Sequence, residues 1–379
     1  MRYAIVLAFA GLVGCGPTQI NHGSGGNGVS TPGGGGSAGG AGSGGGPCTA
    51  TNQNGDSDGD GFTPAQGDCD DCNPTVNPAA IEIAGNQQDD DCNGQVDEPA
   101  AKCDGANGGM SDATSLAQSM ELCDPRFFKS AMTTGASDLR ARIVASKFGT
   151  AVTPKAGANM TLVSTGLAVD KSNTSFVEPQ DGTDLGNTGT NPLPTLKGTS
   201  NCGQAGAVTG VQDYTELVVQ LKAPSNAQSF SFQFQFFSAE YPEFVCTQYN
   251  DELLVIVQSS KTYAQPTNIS FDGKMNPITV NSGFFTVCQN GGTPQTMNCT
   301  QPVTAIAGTG YDDAAAGGQP IGGSTGWLST TAPIAPGEDI TLRFVIFDEG
   351  DGVYDSAALI DNFQWGATSV TGPTTGPIG

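Results

Sequence analysis

Residues 229–237 read SFSFQFQFF, and Phe230, Phe232, Phe234 and Phe236 all fall on one side of that run. Strict alternation of aromatic and polar residues has the two-residue period of a β-strand. A strand that presents four rings on one side must bury them against a second layer. TELVVQL, ELLVIVQ, ITLRFVIF and ALIDNF read as strands in the same way. Gly, Pro, Asn and Asp turns separate them, with no amphipathic helix between. That pattern predicts an antiparallel, jelly-roll-like β-sandwich rather than a parallel α/β sheet, so the fold class is mainly β.

The stretch before the strands is built differently. Leu116, Met120 and Leu122, then Leu139, Ile143 and Val144, sit at helix-like spacings, which predicts a partly helical lead-in over 111–148. The chain opens MRYAIVLAFAGLVGC: a basic Arg2, then an apolar run too short to span a bilayer as a mature helix. Its LVGC ending resembles a bacterial lipobox, which implies cleavage and lipid on Cys15. Eleven cysteines support this, because setting Cys15 aside leaves an even set for an exported chain. The disulfide candidates are Cys48, Cys69, Cys72, Cys92, Cys103, Cys123, Cys202, Cys246, Cys288 and Cys299. Cys288 and Cys299 flank a short polar loop and are the easiest pair to guess.

Residues 16–47 hold 15 glycines in 32 positions and no apolar period, as a disordered tether does. The expected organisation is therefore a signal peptide over 1–15, a Gly/Ser-rich linker over 16–47, an acidic cysteine-rich segment over 48–103, the sandwich with its lead-in over 104–366, and a loose tail over 367–379. Acids outnumber bases 37 to 14, a formal net charge of −23. That balance argues against nucleic acid as a partner. The expected membrane contact is through lipid on Cys15, at the bacterial outer membrane, on the cell surface or facing the periplasm.

Between Asp56 and Glu98 lie twelve acids and no Lys or Arg. Asp56-x-Asp58-x-Asp60-Gly61 opens like a calcium loop: carboxylates at alternate positions wrap a cation and the glycine permits the turn beneath it. Phe62 would add its carbonyl. The twelfth position is Gly67, not Glu, so this is no EF-hand, and the closing ligand must come from Asp68, Asp70 or Asp71. A second run, Asp89-x-Asp91-x-Asn93-Gly94, repeats the opening and continues to Asp97 and Glu98. DGDGFTPAQGDCDD at 58–71, NPAAIE at 77–82 and DDDCNGQVDE at 89–98 resemble the MopE-type metal-binding motif of bacterial exported proteins. Many members of that family carry a cysteine just after the position of Glu82. Here Ile83 and Ala84 stand there, and Cys72 is the candidate replacement partner. The family name points to copper, but an all-oxygen donor set suits calcium, in a structural role.

FFSAEYPEFVCTQYNDELLVIV and FVIFDEGDGVYDSAALIDNF closely resemble the choice-of-anchor L domain of bacterial surface and secreted proteins. Ser238, Glu240, Tyr241, Glu243, Asn250, Asp251, Asp348, Gly350, Asp351, Tyr354, Asp355, Ser356 and Ala357 carry the match. LVSTG at 162–166 adds an early strand and turn, and the resemblance runs over roughly 124–366. It implies no catalytic activity. Glu240, Asp251, Asp348, Asp351 and Asp355 are candidates for a second metal or binding site. They sit beside glycines and further acids, so they are expected to stay ionised. The lone His22 lies in the linker, which removes histidine-based catalysis from the folded part. The reading is a non-catalytic, calcium-stabilised surface lipoprotein that binds an extracellular glycan or surface protein. The alternative is a carbohydrate-active enzyme or lectin-like module using acids of the sandwich.

Overall fold

The computed structural model describes residues 48, 52–100, 102–103, 108–196, 210–289, 299–313 and 321–378. The expected signal peptide, linker and lipidated Cys15 lie outside the described residues, as do His22 and Cys202.

The longer strands are β1 (Phe128–Gly135), β2 (Arg142–Ala145), β3 (Met160–Ser164), β4 (Gly210–Lys222), β5 (Ser229–Ser238), β6 (Glu252–Ser259), β7 (Leu328–Pro333), β8 (Asp339–Asp348), β9 (Ser356–Gly366) and β10 (Thr374–Pro377). They form two sheets. The first runs β1–β4–β8–β6 and the second runs β10–β7–β5–β9–β3–β2, all antiparallel. A two-residue contact of Val287–Cys288 with Gln301–Pro302 is parallel. The fold is mainly β, as the alternation predicts.

Phe230, Phe232, Phe234 and Phe236 of β5 all point into the space between the sheets, each at most 1% exposed. Phe232 meets Phe344 of β8 edge-on, with ring centroids 5.4 Å apart. Burying each ring is worth roughly 1.5–3 kcal/mol, which fixes the register of β5: a one-residue slip would turn all four outward. The run ELLVIV does not alternate because β6 is covered on both faces. Leu253 and Val255 face the main core. Leu254 and Ile256 join Val345 and Phe347 on the far side, under Leu193 and Leu196. Continuous apolar runs mark strands buried on both faces.

The lead-in departs from the helical expectation. One short helix, α1 (Ala113–Gln118), forms, capped by Asp112 accepting from the Ser115 N–H. Leu139 is exposed in a single 3₁₀ turn, and Ile143 and Val144 lie in β2, paired with Leu162 and Thr161 of β3. Cross-strand pairing overrides a weak helical spacing here. The tail is also more ordered than expected: β10 pairs with β7 over Leu328–Thr331.

The acidic segment is not a free-standing unit. It packs on the sandwich as part of one compact body, Cys48–Gly379. Its Ile81 exchanges backbone hydrogen bonds with the Asn226 side chain, donating at 2.9 Å and accepting at 2.8 Å. Ser225 donates to the Ala79 carbonyl and, through its hydroxyl, to Asn77. Disulfides Cys48–Cys72 and Cys69–Cys92 cross-link the segment, Cys103–Cys123 ties its end beyond α1, and Cys288 pairs with Cys299. Cys246 is also disulfide-bonded.

Candidate metal centres

The acidic segment contains one 3₁₀ turn, Pro64–Gln66, and is otherwise held by aspartates accepting nearby backbone N–H groups. Asp56 accepts from Gly59 and Gly61, Asp58 from Asp60, and Asp60 from Phe62. Asp and Asn favour such turns because their side chains reach the backbone two or three residues on. The result curls three carboxylates inward. Oxygens of Asp56, Asp58 and Asp60 lie within 4.8 Å of one another. Glu82, Asp89 and Asp91 form a second such group.

The remaining expected ligands divide. Burial, and after it repulsion from Asp60 and other nearby acids, pushes the Asp58 and Asp68 carboxyls up. One oxygen each of Asp58 and Asp68 is buried with no donor. Asp71 is spent on Ser57, accepting from its N–H and hydroxyl. The Asp70 N–H donates to Asp68. Asp97 accepts from Gly85, Asn86 and Gln87, and Glu98 accepts from the Asn93 side chain. Two features escape the sequence reading. Glu82 completes the second group from seven positions before Asp89, holding the Asp90, Asp91 and Asp97 N–H groups in place. Arg126, from outside the segment, donates to Asp91 at 2.8 Å.

The acids of the sandwich are placed otherwise than expected. Asp251 precedes β6, Asp348 ends β8 and Asp355 precedes β9, and all three are buried, with Glu240 beside them. They do not sit in a polar flexible run: packing seals them at one end between the sheets. Burial, then repulsion from neighbouring acids, raises all of them; Asp355 is pushed up to about 8. Burial disfavours the charged form of each, and neighbouring acids add repulsion, so ionising all of them together is disfavoured. The Ser356 hydroxyl donates to Asp251 at 2.6 Å, joining the second sheet to the first. The Asp251 N–H donates to Glu240 at 3.2 Å. Asp351 stays partly exposed and accepts from the Val353 N–H. Tyr241 stacks on Phe285 in the core, while Tyr249 and Tyr354 pack against Phe244.

A family model described as "Choice-of-anchor L domain" matches residues 158–364, just over half the chain. The chain belongs to the choice-of-anchor L domain family. Residues 68–98 match a second model, described as "Putative metal-binding motif". No curated protein matches. One solved structure that is similar, the K2 cleaved adhesin domain of Lys-gingipain, has 11% identity and a TM-score of 0.26, and the match covers 63% of this chain and 89% of that one. At that TM-score the likeness supports no argument. The match to the choice-of-anchor L family spans every buried acid of the sandwich, and the motif spans the second surface group. The donors in both surface groups are all carboxylate oxygens, and orphaned oxygens remain on Asp58 and Asp68, which fits a hard cation. Every cysteine of the motif that falls among the described residues is in a disulfide and offers no thiolate.

Proposed function

We propose that this choice-of-anchor L protein is a non-catalytic, surface-attached binding module, anchored by lipid on Cys15, in which calcium holds the acidic segment in shape. The observation that carries the metal part is the pair of three-carboxylate groups, Asp56/Asp58/Asp60 and Glu82/Asp89/Asp91, locked to the sandwich through Asn226, Ser225 and Arg126. Family membership supports the surface role.

The raised carboxyls of Glu240, Asp251, Asp348 and Asp355 hold protons as general acids do, but each is at most 3% exposed, which leaves a sugar ring little access to them. A lectin-like reading has one observation in its favour. A groove of about 420 Å³ crosses the first sheet, lined by Lys129, Gln220, Gln258, Ser260, Asp339 and Thr341. Gln220, Thr341 and Gln258 lie side by side across β4, β8 and β6. Hydroxyls and amides suit glycan recognition, but Asp339 is the groove's one carboxylate, and glycoside hydrolysis needs two. A glycan array probed with and without calcium, together with mass spectrometry of the mature N-terminus, tests the reading. Calcium-dependent capture and a lipidated Cys15 are expected. Glycan cleavage, or an unmodified Cys15, overturns it.

A further inference from the structure

β8 is paired on both sides, by β4 and by β6, so the sheet takes up its backbone N–H and C=O groups. What the middle of the first sheet offers outward is therefore side chains. One row of them crosses four strands. Ser130 of β1 faces Gln220 of β4, Gln220 faces Thr341 of β8, and Thr341 faces Gln258 of β6. Their chain neighbours Val219, Leu342 and Val257 turn the other way, into the core. Strands lie about 4.8 Å apart, so the row spans roughly 14 Å, the length of a short oligosaccharide. Gln220, Thr341 and Gln258 line the groove of about 420 Å³.

The polar atoms of the row are left over by the fold. Ser130 donates its hydroxyl to the Gln220 amide oxygen at 3.2 Å. Among the described residues, the Gln220 NH2 group and the side chains of Thr341 and Gln258 have no hydrogen-bond partner. Gln220 and Gln258 are exposed and Thr341 is half-buried. Charge at the groove is largely offset: Lys222 pairs with Asp339 at 3.4 Å, and Lys129 gives one N–H to the Arg126 carbonyl. The lysine charge that remains stands against a chain of net −23, too little to draw a polyanion. A peptide adding as a strand needs a free sheet edge, which β8 does not have. Amides and a hydroxyl in line match a ligand whose hydroxyls repeat along its length.

Resting on the lectin-like reading above, we propose that this row binds a neutral, linear glycan laid across the strands, with the Gln220 NH2 group, the Thr341 hydroxyl and the Gln258 amide as its hydrogen-bonding contacts. Charge plays no part in holding such a ligand, so its affinity does not depend on salt.

The test uses the full chain, in calcium throughout. Calorimetry with cello-, manno- and xylo-oligosaccharides, and with oligogalacturonate as the acidic counterpart, should show a neutral chain bound and the acidic one not, with equal affinity at low and high salt. Thr341→Val and Gln258→Ala each remove a group that bonds nothing within the chain, so both variants should melt like wild type. Each should bind about fivefold more weakly, as the loss of one net hydrogen bond does, and the double variant roughly 25-fold. A preference for oligogalacturonate, or affinity that falls steeply with salt, overturns the ligand class. If wild type binds a glycan that both variants hold at full strength, the site is overturned and the lectin-like reading stands. If wild type binds no glycan of either kind, both fall.

Discussion

Arg126 Nη1 lies 2.8 Å from Asp91 Oδ2, and Arg126 also pairs with Asp124, two residues before it on the sandwich side. The most acidic segment of the chain is thus joined to the body through a guanidinium as well as through Asn226 and Ser225, and that guanidinium competes for an oxygen of the second surface group. Arg126→Ala should free that oxygen and tighten calcium at Glu82/Asp89/Asp91. It should also loosen the segment, at a cost of about 1 kcal/mol for a pair this exposed. Calcium titration and limited proteolysis of the same sample check both. If affinity falls along with protease resistance, Arg126 positions Asp91 rather than competing for it.

Phe232 is the ring that joins the two sheets through Phe344. Phe232→Ala, which truncates a fully buried ring, should cost about 3–5 kcal/mol. Phe232→Leu keeps most of the volume and should cost under about 1.5 kcal/mol. Denaturant unfolding of both variants measures the difference. Equal losses would mean that the core collapses around the gap.

Asp361 is fully buried on β9 and accepts from the Lys155, Ala156 and Asn362 N–H groups. Burial still wins over these donors and pushes its carboxyl up to about 6. A folded pKa above the unfolded one means that the native state binds the extra proton between roughly pH 4 and 6. Its contribution is therefore present at low pH and lost as pH rises through that window, by up to about 3 kcal/mol. Asp361→Asn removes the titration. Its stability relative to wild type should climb between pH 4 and 6.5 and then level off, whatever its constant offset. A flat difference across that range counts against the assignment.

The β-sandwich was legible because a period of two survives in sequence: Phe230 to Phe236 announce their face directly. The buried strand ELLVIV was legible by composition, although only the packing of Leu193 and Leu196 explains why it does not alternate. The helical reading of 139–144 failed because so few apolar residues fix no period and β3 was there to pair with Ile143 and Val144. The acid loops were visible as Asp-x-Asp-x-Asp, but Glu82 and Arg126 were not, since neither shares a local repeat with the residues it meets. At the sealed end the error was one of environment. DEGDGVYD reads as a solvated loop, and nothing in a linear reading shows that Asp348 and Asp355 are buried under it.

Calcium should order the acidic segment, and the two surface groups should respond separately. Twelve acids lie between Asp56 and Glu98, and the segment buries little apolar surface beyond Val76 and Ala80. Disulfides limit how far it unfolds but leave the repulsion in place, and a bound divalent ion converts its binding energy into folding energy. Asp58→Ala should weaken the first group and leave Cys69–Cys92 and the Asn226 contact intact, so protease cuts should appear around 56–66. Asp91→Ala removes both a ligand and the partner of Arg126, so its cuts should spread toward 81–98 and its melting loss should exceed that of Asp58→Ala. Both differences should shrink in chelator, where the ions are gone from wild type as well. Calorimetry showing no calcium uptake, with proteolysis unchanged by chelator, would leave a segment held by disulfides and turns alone.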